Sequence, residues 1–370
     1  MKKKVCIVTA ARSEYGLLRW IIDSVYKDAE LELQLVVTGG HLSEEQGLTY
    51  KNIEEDGYPI VEKISMLQSC VDENDIAKAM GRCALSMVDT FDRLRPDIVV
   101  VLGDRYELLP IVSTALVMRI PIAHIAGGDI TEGAIDDEIR NAVTMMSTLH
   151  FPGVEDAAEN IKRMRNSDKD IFVVGETGLE NIQRFDLWSK EKIASELGLD
   201  LNKKWCLVTL HPETKLSVKD NMDMANQLYE TMCLYPKLQY VITKANTDLG
   251  GAQINKFWEN VVPKQDNMCL IASLGQMRYL SFMKYADLVL GNSSSGIVEA
   301  PFMGIPVVNI GDRQTGRHIC KTVVCCGRTE NEIKSAMDVC LTMPHSIDTY
   351  WGDGKTSEKI ISHLKTYLNE

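Results

Sequence analysis

Short runs of consecutive apolar, β-prone residues recur along this chain, each separated from the next by a spacer long enough for a helix. In the first half they are Val5–Thr9, Leu33–Val37, Ile98–Leu102, Pro121–Ile125 and Ile171–Val174. A strand that is apolar without alternation is covered on both faces, as happens when crossover helices join parallel strands. Ser13–Val25 and Asp75–Leu94 carry helical periodicity between these runs. The alternation predicts an α/β chain with a doubly wound sheet.

The pattern then restarts with Trp205–Leu210, Tyr240–Thr243, Met268–Ala272, Asp287–Leu290 and Pro306–Ile310. Between the two series lies Glu180–Lys204, polar and helical, where Leu197-Gly198-Leu199-Asp200 marks a helix end. The expected boundary falls near 180–200, giving Rossmann-like domains over 1–185 and 186–370. The last helix is expected to pack back on the N-terminal domain. Two such domains in tandem imply a central cleft, and ligands of open α/β sheets bind beyond the carboxyl ends of the strands.

The 370 residues suffice for two cores, and a net charge of −12 argues against general nucleic-acid binding, which needs a basic face. The ten cysteines show no C-x-x-C pair and read as reduced residues, mostly buried in strands. The apolar run Val5–Ala11 is too short for a secretion signal, and no segment approaches the roughly 18 apolar residues of a membrane helix. These features lead to the expectation of a cytoplasmic protein with no membrane partner.

Polar residues cluster just after the expected strands. Arg12 follows the first, in Thr9-Ala10-Ala11-Arg12-Ser13-Glu14-Tyr15-Gly16, where a helix start favours an anion that Arg12 can grip bidentately. A surface Arg in a strand–helix loop reads the same way. Asp104 ends the strongest strand, with Arg105 and Glu107 beside it, and equally suits a helix N-cap. His124-Ile125-Ala126-Gly127-Gly128-Asp129 ends the next strand, its glycines allowing backbone to approach a ligand. Asp136 and Asp137 follow in Gly133-Ala134-Ile135-Asp136-Asp137-Glu138-Ile139-Arg140. Carboxylates so gathered raise one another's pKa, which suits acid/base work near neutral pH. Metal binding or a solvated acidic helix start are the other readings.

The second half offers His211-Pro212-Glu213-Thr214 after one strand. After another comes Gly291-Asn292-Ser293-Ser294-Ser295-Gly296-Ile297-Val298-Glu299. Hydroxyls and glycine at a helix start make a phosphate cradle, and Glu299 is placed to accept ribose hydroxyls. No G-K-[ST] follows, so this is not a Walker motif. A serine-rich helix cap is the plainer reading. Gly311-Asp312-Arg313-Gln314-Thr315-Gly316-Arg317 follows a further strand end.

Together, TAARSEYGLL, LGDRYE, HIAGGDITEGAIDDEIR, LHPET, GNSSSGIVEAP and GIPVVNIGDRQTGR make the chain resemble hydrolysing UDP-N-acetylglucosamine 2-epimerases of sialic- or legionaminic-acid biosynthesis. The segments span most of the chain in the family's order. The resemblance implies a glycosyltransferase-B-like fold, an oligomer (homodimer or homotetramer), and chemistry that requires no redox cofactor or metal. It implies proton removal from C2 with loss of the nucleoside diphosphate from C1, a glycal intermediate, and addition of water. It casts Asp104, Asp129 and Asp136 as acid/base carboxylates, with Asp137 a close substitute, and His211 as the residue assisting the leaving group. Arg12, Ser293, Ser294 and Ser295 match diphosphate contacts, Glu299 the ribose contact, Tyr279 a stacking ring, and Arg313 the phosphate or sugar neighbourhood; Asn292 and Gly296 are expected among the substrate- or nucleotide-binding residues.

The chain departs from the family at Asn141, where His is frequent, and at Asp129, where Glu is familiar. The main expectation is UDP-N-acetylglucosamine as substrate, with N-acetylmannosamine and UDP as products. The alternative is the same reaction on UDP- or GDP-linked 2,4-diacetamido-2,4,6-trideoxy-glucose, discriminated by residues within Asp129–Glu138 or a loop at His41–Gly57. A non-hydrolysing 2-epimerase, a glycosyltransferase and a nucleotide-sugar sensor are the other functions considered.

Overall fold

A computed structural model of the chain describes residues 2–67, 73–130, 135–246 and 250–370. The chain divides into two compact units, Met1–Asn181 with Gly352–Glu370, and Ile182–Trp351.

In the first unit β1 (Lys3–Thr9), α1 (Arg12–Lys27) and β2 (Leu31–Thr38) lead to α2 (Tyr50–Glu55) and β3 (Ile60–Ile64). Then follow α3 (Glu73–Leu94), β4 (Ile98–Leu102), α4 (Leu108–Val117), β5 (Ile122–Ile125), α5 (Ile135–Met146), β6 (Leu149–Phe151) and α6 (Glu155–Arg165). The chain leaves this unit within α7 (Leu179–Arg184). The six strands are parallel in the order β3-β2-β1-β4-β5-β6. Successive residues of β1 point to opposite faces, as the strand period of two requires. Val5 and Ile7 pack with Leu18 and Ile22 of α1; Cys6 and Val8 pack with Met87 and Phe91 of α3 and Ile111 of α4.

The second unit begins with α8 (Lys190–Leu197), which Gly198 ends in the left-handed conformation, as its sequence foretells. Its sheet comprises β7 (Lys204–Thr209), β8 (Leu238–Thr243), β9 (Met268–Ile271), β10 (Leu288–Gly291), β11 (Val307–Ile310) and β12 (Val323–Cys326). The helices are α9 (Val218–Cys233), α10 (Gly251–Val261), α11 (Gly275–Lys284), α12 (Glu299–Phe302) and α13 (Glu330–Cys340). The order is β12-β11-β10-β7-β8-β9, again parallel. Leu228, Trp258 and Met337 bury one face of it, and Trp205 stacks on Phe282 on the other. The final helix α14 (Thr356–Asn369) belongs to the first unit, where Ile360 and Leu364 enter the core beside α1.

Two expectations need correction. Ile171–Val174 forms no strand: only Ile171 bridges, to His150, and the strand β6 lies earlier. Strands β3 and β12 were not anticipated, because edge strands carry polar residues (Glu62, Lys63) or shrink to four residues. Among the described cysteines, all free, five lie in strands and Cys325 is exposed; Cys70 lies outside the described residues.

In each sheet the strand order reverses once, between β1 and β4 and between β7 and β10. Those switch points open a crevice at the carboxyl edge, where open α/β sheets take ligands.

Candidate active site

The first unit gathers its chemistry at the β1/β4 switch point. Arg12 opens α1, exposed and paired with no described residue. The Glu14 carboxylate reaches back to accept the Ala10 and Ala11 N–H groups at 2.6 and 3.0 Å. Those two donors are therefore spent, and the anion expected at this helix start is left to the Arg12 side chain and the first-turn N–H groups of Arg12 and Ser13.

Asp104 sits on the turn after β4. Arg140, buried on α5, donates to Asp104, to Asp137 Oδ1 at 3.1 Å and to the Asp129 carbonyl at 2.8 Å. One guanidinium thus organises three of the four carboxylate-bearing positions that the sequence singled out. Asn141 Nδ2 lies 3.5 Å from Asp137 Oδ2. The carboxylate of Asp136, on the first turn of α5, is bonded to no described residue; burial and then the Asp104 charge push it above the ordinary value, against Arg140 and Arg105. Arg140 was missed as an organiser, although its spacing of three from Asp137 and four from Asp136 on one helix is the available signal.

Neighbouring groups prove to be supports. Glu107 is fully buried and paired with Arg105 at 2.6 Å. His124 is also fully buried, its Nε2 2.8 Å from the Gly103 carbonyl that precedes Asp104. Burial pushes its pKa down to about 4, so the ring is neutral and Nε2 donates. Gly127 and Gly128 were expected to let a ligand approach, but the close approach is to the protein itself. A Cβ at Gly128 would lie 2.2 Å from the Ala157 carbonyl, and one at Gly127 2.8 Å from Thr144 Oγ1. The specificity segments divide: Thr131–Ala134 lies outside the described residues, whereas His41–Gly57 folds into a 3-10 turn (Gly39–Leu42) and α2. His41 is fully buried, bonded to Thr9 and Thr49.

The second unit places its candidates at the β7/β10 switch point. His211 Nδ1 accepts the Asn246 N–H at 3.1 Å, so the neutral ring carries its proton on Nε2. Asn292 was expected among the nucleotide contacts. Its side chain is instead fully buried and spent on His211: Oδ1 accepts the His211 N–H at 2.8 Å and Nδ2 donates to the His211 carbonyl at 2.9 Å. Its own carbonyl accepts from Arg313 at 3.2 Å and Gln314 at 2.8 Å.

Ser293, Ser295 and Tyr279 form a hydroxyl cluster, with Ser295 Oγ 3.0 Å from Ser293 Oγ and 2.6 Å from the Tyr279 hydroxyl. Ser294 is exposed. The expected helix start is a 3-10 turn, Ser294–Gly296, followed by the four-residue α12, too short for an appreciable dipole. Hydroxyls rather than helix polarity are what this loop offers. Gly296 is buried, and a Cβ there would meet Val307 at 3.1 Å, which gives it a packing role. The Glu299 carboxylate is bonded to no other described residue; burial raises its pKa while Arg317 opposes.

A family model described as UDP-N-acetylglucosamine 2-epimerase matches residues 23–365. The chain belongs to this family. A Campylobacter jejuni family relative, GDP/UDP-N,N'-diacetylbacillosamine 2-epimerase (hydrolyzing), is 40% identical over 85% of this chain and 82% of its own length. The UDP-N,N'-diacetylbacillosamine 2-epimerase (hydrolyzing) of Legionella pneumophila is 31% identical over 99% of this chain and 96% of its own. The fold of the family is shared: the crystal structure of the UDP-GlcNAc 2-epimerase from Neisseria meningitidis aligns with TM-score 0.80 at 18% identity, covering 98% of this chain and 100% of that one. Both units thus follow the two-domain, glycosyltransferase-B-like architecture.

Proposed function

We propose that this epimerase-family chain hydrolyses a nucleoside-diphosphate-linked 2,4-diacetamido-2,4,6-trideoxy sugar with inversion at C2, the nucleotide being UDP or GDP. The substrate reading moves from the single acetamido sugar to its diacetamido counterpart because of one observation. The relative 40% identical to this chain is named for a diacetylbacillosamine substrate, and so is a relative 31% identical over 99% of this chain.

The first unit supplies acid/base chemistry. Asp104, held by Arg140, and Asp136, paired with no described residue and titrating above its ordinary value, differ in environment as a proton-transferring pair should. One of the pair takes the C2 proton while the C1–O bond breaks and the electron pair leaves on the diphosphate, giving the glycal. Water then adds its hydroxyl to C1 and a proton returns to the other face of C2. Asp129 and Asp137 are assigned supporting places, Asp137 because Arg140 and Asn141 engage its carboxylate.

The second unit supplies nucleotide binding and leaving-group assistance. His211 offers its Nε2–H to the departing phosphate oxygen. Ser293, Ser294, Ser295 and Arg313 hold the diphosphate, Glu299 accepts the ribose hydroxyls, and Tyr279 lies beside the base; Arg12 is the first unit's own candidate for a phosphate. A homodimer or homotetramer belongs to the same proposal. Exposed Leu85 and Val88 on α3 and Leu116 and Val117 on α4 support it, and light scattering of the purified protein tests it.

The deciding experiment incubates the metal-chelated protein with UDP- and GDP-linked diacetamido sugar, and separately with UDP-N-acetylglucosamine, in deuterated water under proton NMR. Expected is free 2-epimerised diacetamido sugar with deuterium at C2 and an equal amount of nucleoside diphosphate. Turnover confined to UDP-N-acetylglucosamine would overturn the substrate; epimerised nucleotide sugar without release would overturn the hydrolytic step.

A further inference from the structure

We propose that Glu213 is a positioning residue whose buried carboxylate, gripped by Arg328, locks the His211 loop to the Gly311–Gln314 loop. The proposal rests on the reading that these two loops serve the nucleotide.

Glu213 follows β7, whereas Arg328 follows β12, three strands away in the sheet. The Glu213 side chain is 6% exposed. Its Oε2 accepts Arg328 Nη2 at 2.5 Å, and its Oε1 accepts Arg328 Nε at 3.4 Å and the Asp312 N–H at 3.0 Å. Arg328 Nη2 also donates to Asp312 Oδ2 at 2.7 Å. Three loops after three different strands therefore converge on one carboxylate.

The loop after β11 is shaped around that carboxylate. Gly311 adopts φ +74°, and a Cβ there would fall 2.0 Å from Glu213 Oε1. Only glycine leaves room for the carboxylate and takes this conformation without strain. The loop after β7 is equally fixed. The buried Asn221 side chain accepts the Glu213 N–H at 2.8 Å and donates to the Glu213 carbonyl at 3.1 Å. Asn292 treats His211 the same way two residues earlier. Two asparagines thus pin the backbone on either side of Pro212, and the Glu213 carboxylate ties the pinned loop to the residues flanking Arg313.

A buried ion pair is a weak source of stability, since apolar residues of like volume serve as well. What it provides is a charge-assisted, directional fixing of three loops. No strand or helix needs this link, but the placement of the His211 ring and of Arg313 does.

The test uses Glu213→Gln and Arg328→Lys in the full chain. The readouts are UDP affinity by calorimetry, kcat and KM for nucleoside diphosphate release, and the His211 ring signals by nitrogen-15 NMR, assigned through His211→Asn. Expected for Glu213→Gln, folded by circular dichroism, are about tenfold weaker UDP binding, about tenfold lower kcat and displaced His211 signals. Arg328→Lys keeps the charge without the fork and shifts all three in the same direction, by less. If Glu213→Gln does not fold, Arg328→Lys decides alone. Unchanged affinity, kcat and His211 signals in a folded variant overturn the proposal. Should the wild-type chain turn over no nucleotide sugar, the proposed reaction fails, while UDP affinity and the His211 signals still judge the link.

Discussion

The Arg140 guanidinium, nearly sealed inside the first unit, donates to the carboxylate of Asp104. The same group holds Asp137 and the Asp129 carbonyl, so its loss releases all three positions at once. Arg140→Met is expected to cost about 2 kcal/mol in urea denaturation, because the Asp129 carbonyl and two part-exposed carboxylates lose a charged donor. Turnover should fall about 100-fold, the order that misplacement by roughly 1 Å produces. Arg140→Lys should fall between this variant and the wild type, keeping the charge without the fork.

Asp104→Asn keeps the side chain's shape but removes its basicity. Nucleoside diphosphate release should become undetectable above background, while calorimetry returns UDP affinity close to wild type. Arg12 apart, the groups proposed to hold the nucleotide belong to the second unit, which does not contain Asp104. Near-normal turnover would remove Asp104 from the chemistry.

Glu299→Ala should have the opposite signature. A carboxylate that accepts ribose hydroxyls is worth about 1.5 kcal/mol or more, so UDP affinity should drop at least about tenfold. Thermal unfolding without nucleotide should hardly change, since the Glu299 carboxylate is bonded to no other described residue.

Acid should weaken the first unit through its histidines. Burial pushes His41 and His124 down to about 4 and His150 to about 3, from an ordinary 6.5. The unfolded chain binds these protons first, so stability is full above about pH 6.5 and lost as pH falls through the folded values. Glu14 runs the other way. Burial raises it to about 7 from 4.5, so its contribution improves as pH falls from 7 towards 4.5. Three groups outweigh one. Thermal melts should decline from pH 6.5 to 4, and more steeply in Glu14→Gln, which lacks the opposing group.

The strand cores were legible because apolar runs such as Ile98–Leu102, buried on both faces, tolerate no polar residue. The polar residues after β1, β4, β7 and β10 were legible for a related reason: a doubly wound sheet has only one edge at which to place them. What could not be read was direction. Nothing in Asn292-Ser293-Ser294-Ser295 announces that the asparagine turns inward to the His211 backbone while Ser294 stays exposed. Glu213 escaped notice because its partner Arg328 lies 115 residues away, and so distant a pairing leaves no local period; Arg140 shows a local spacing to Asp137, but its bond to Asp104, 36 residues away, does not.

The helix α14 has a consequence for how a cell makes this molecule. Its Ile360 and Leu364 complete the core beside α1, and Ser357 bonds to the buried Glu180, yet all are synthesised after the second unit. At ordinary ribosome speeds the interval is on the order of ten seconds. During it the nascent first unit displays an apolar seam with no lid, a ready target for chaperones. A stalled or nicked chain that lacks α14 would keep that seam open and feed aggregation or proteolysis, however well its second unit had folded.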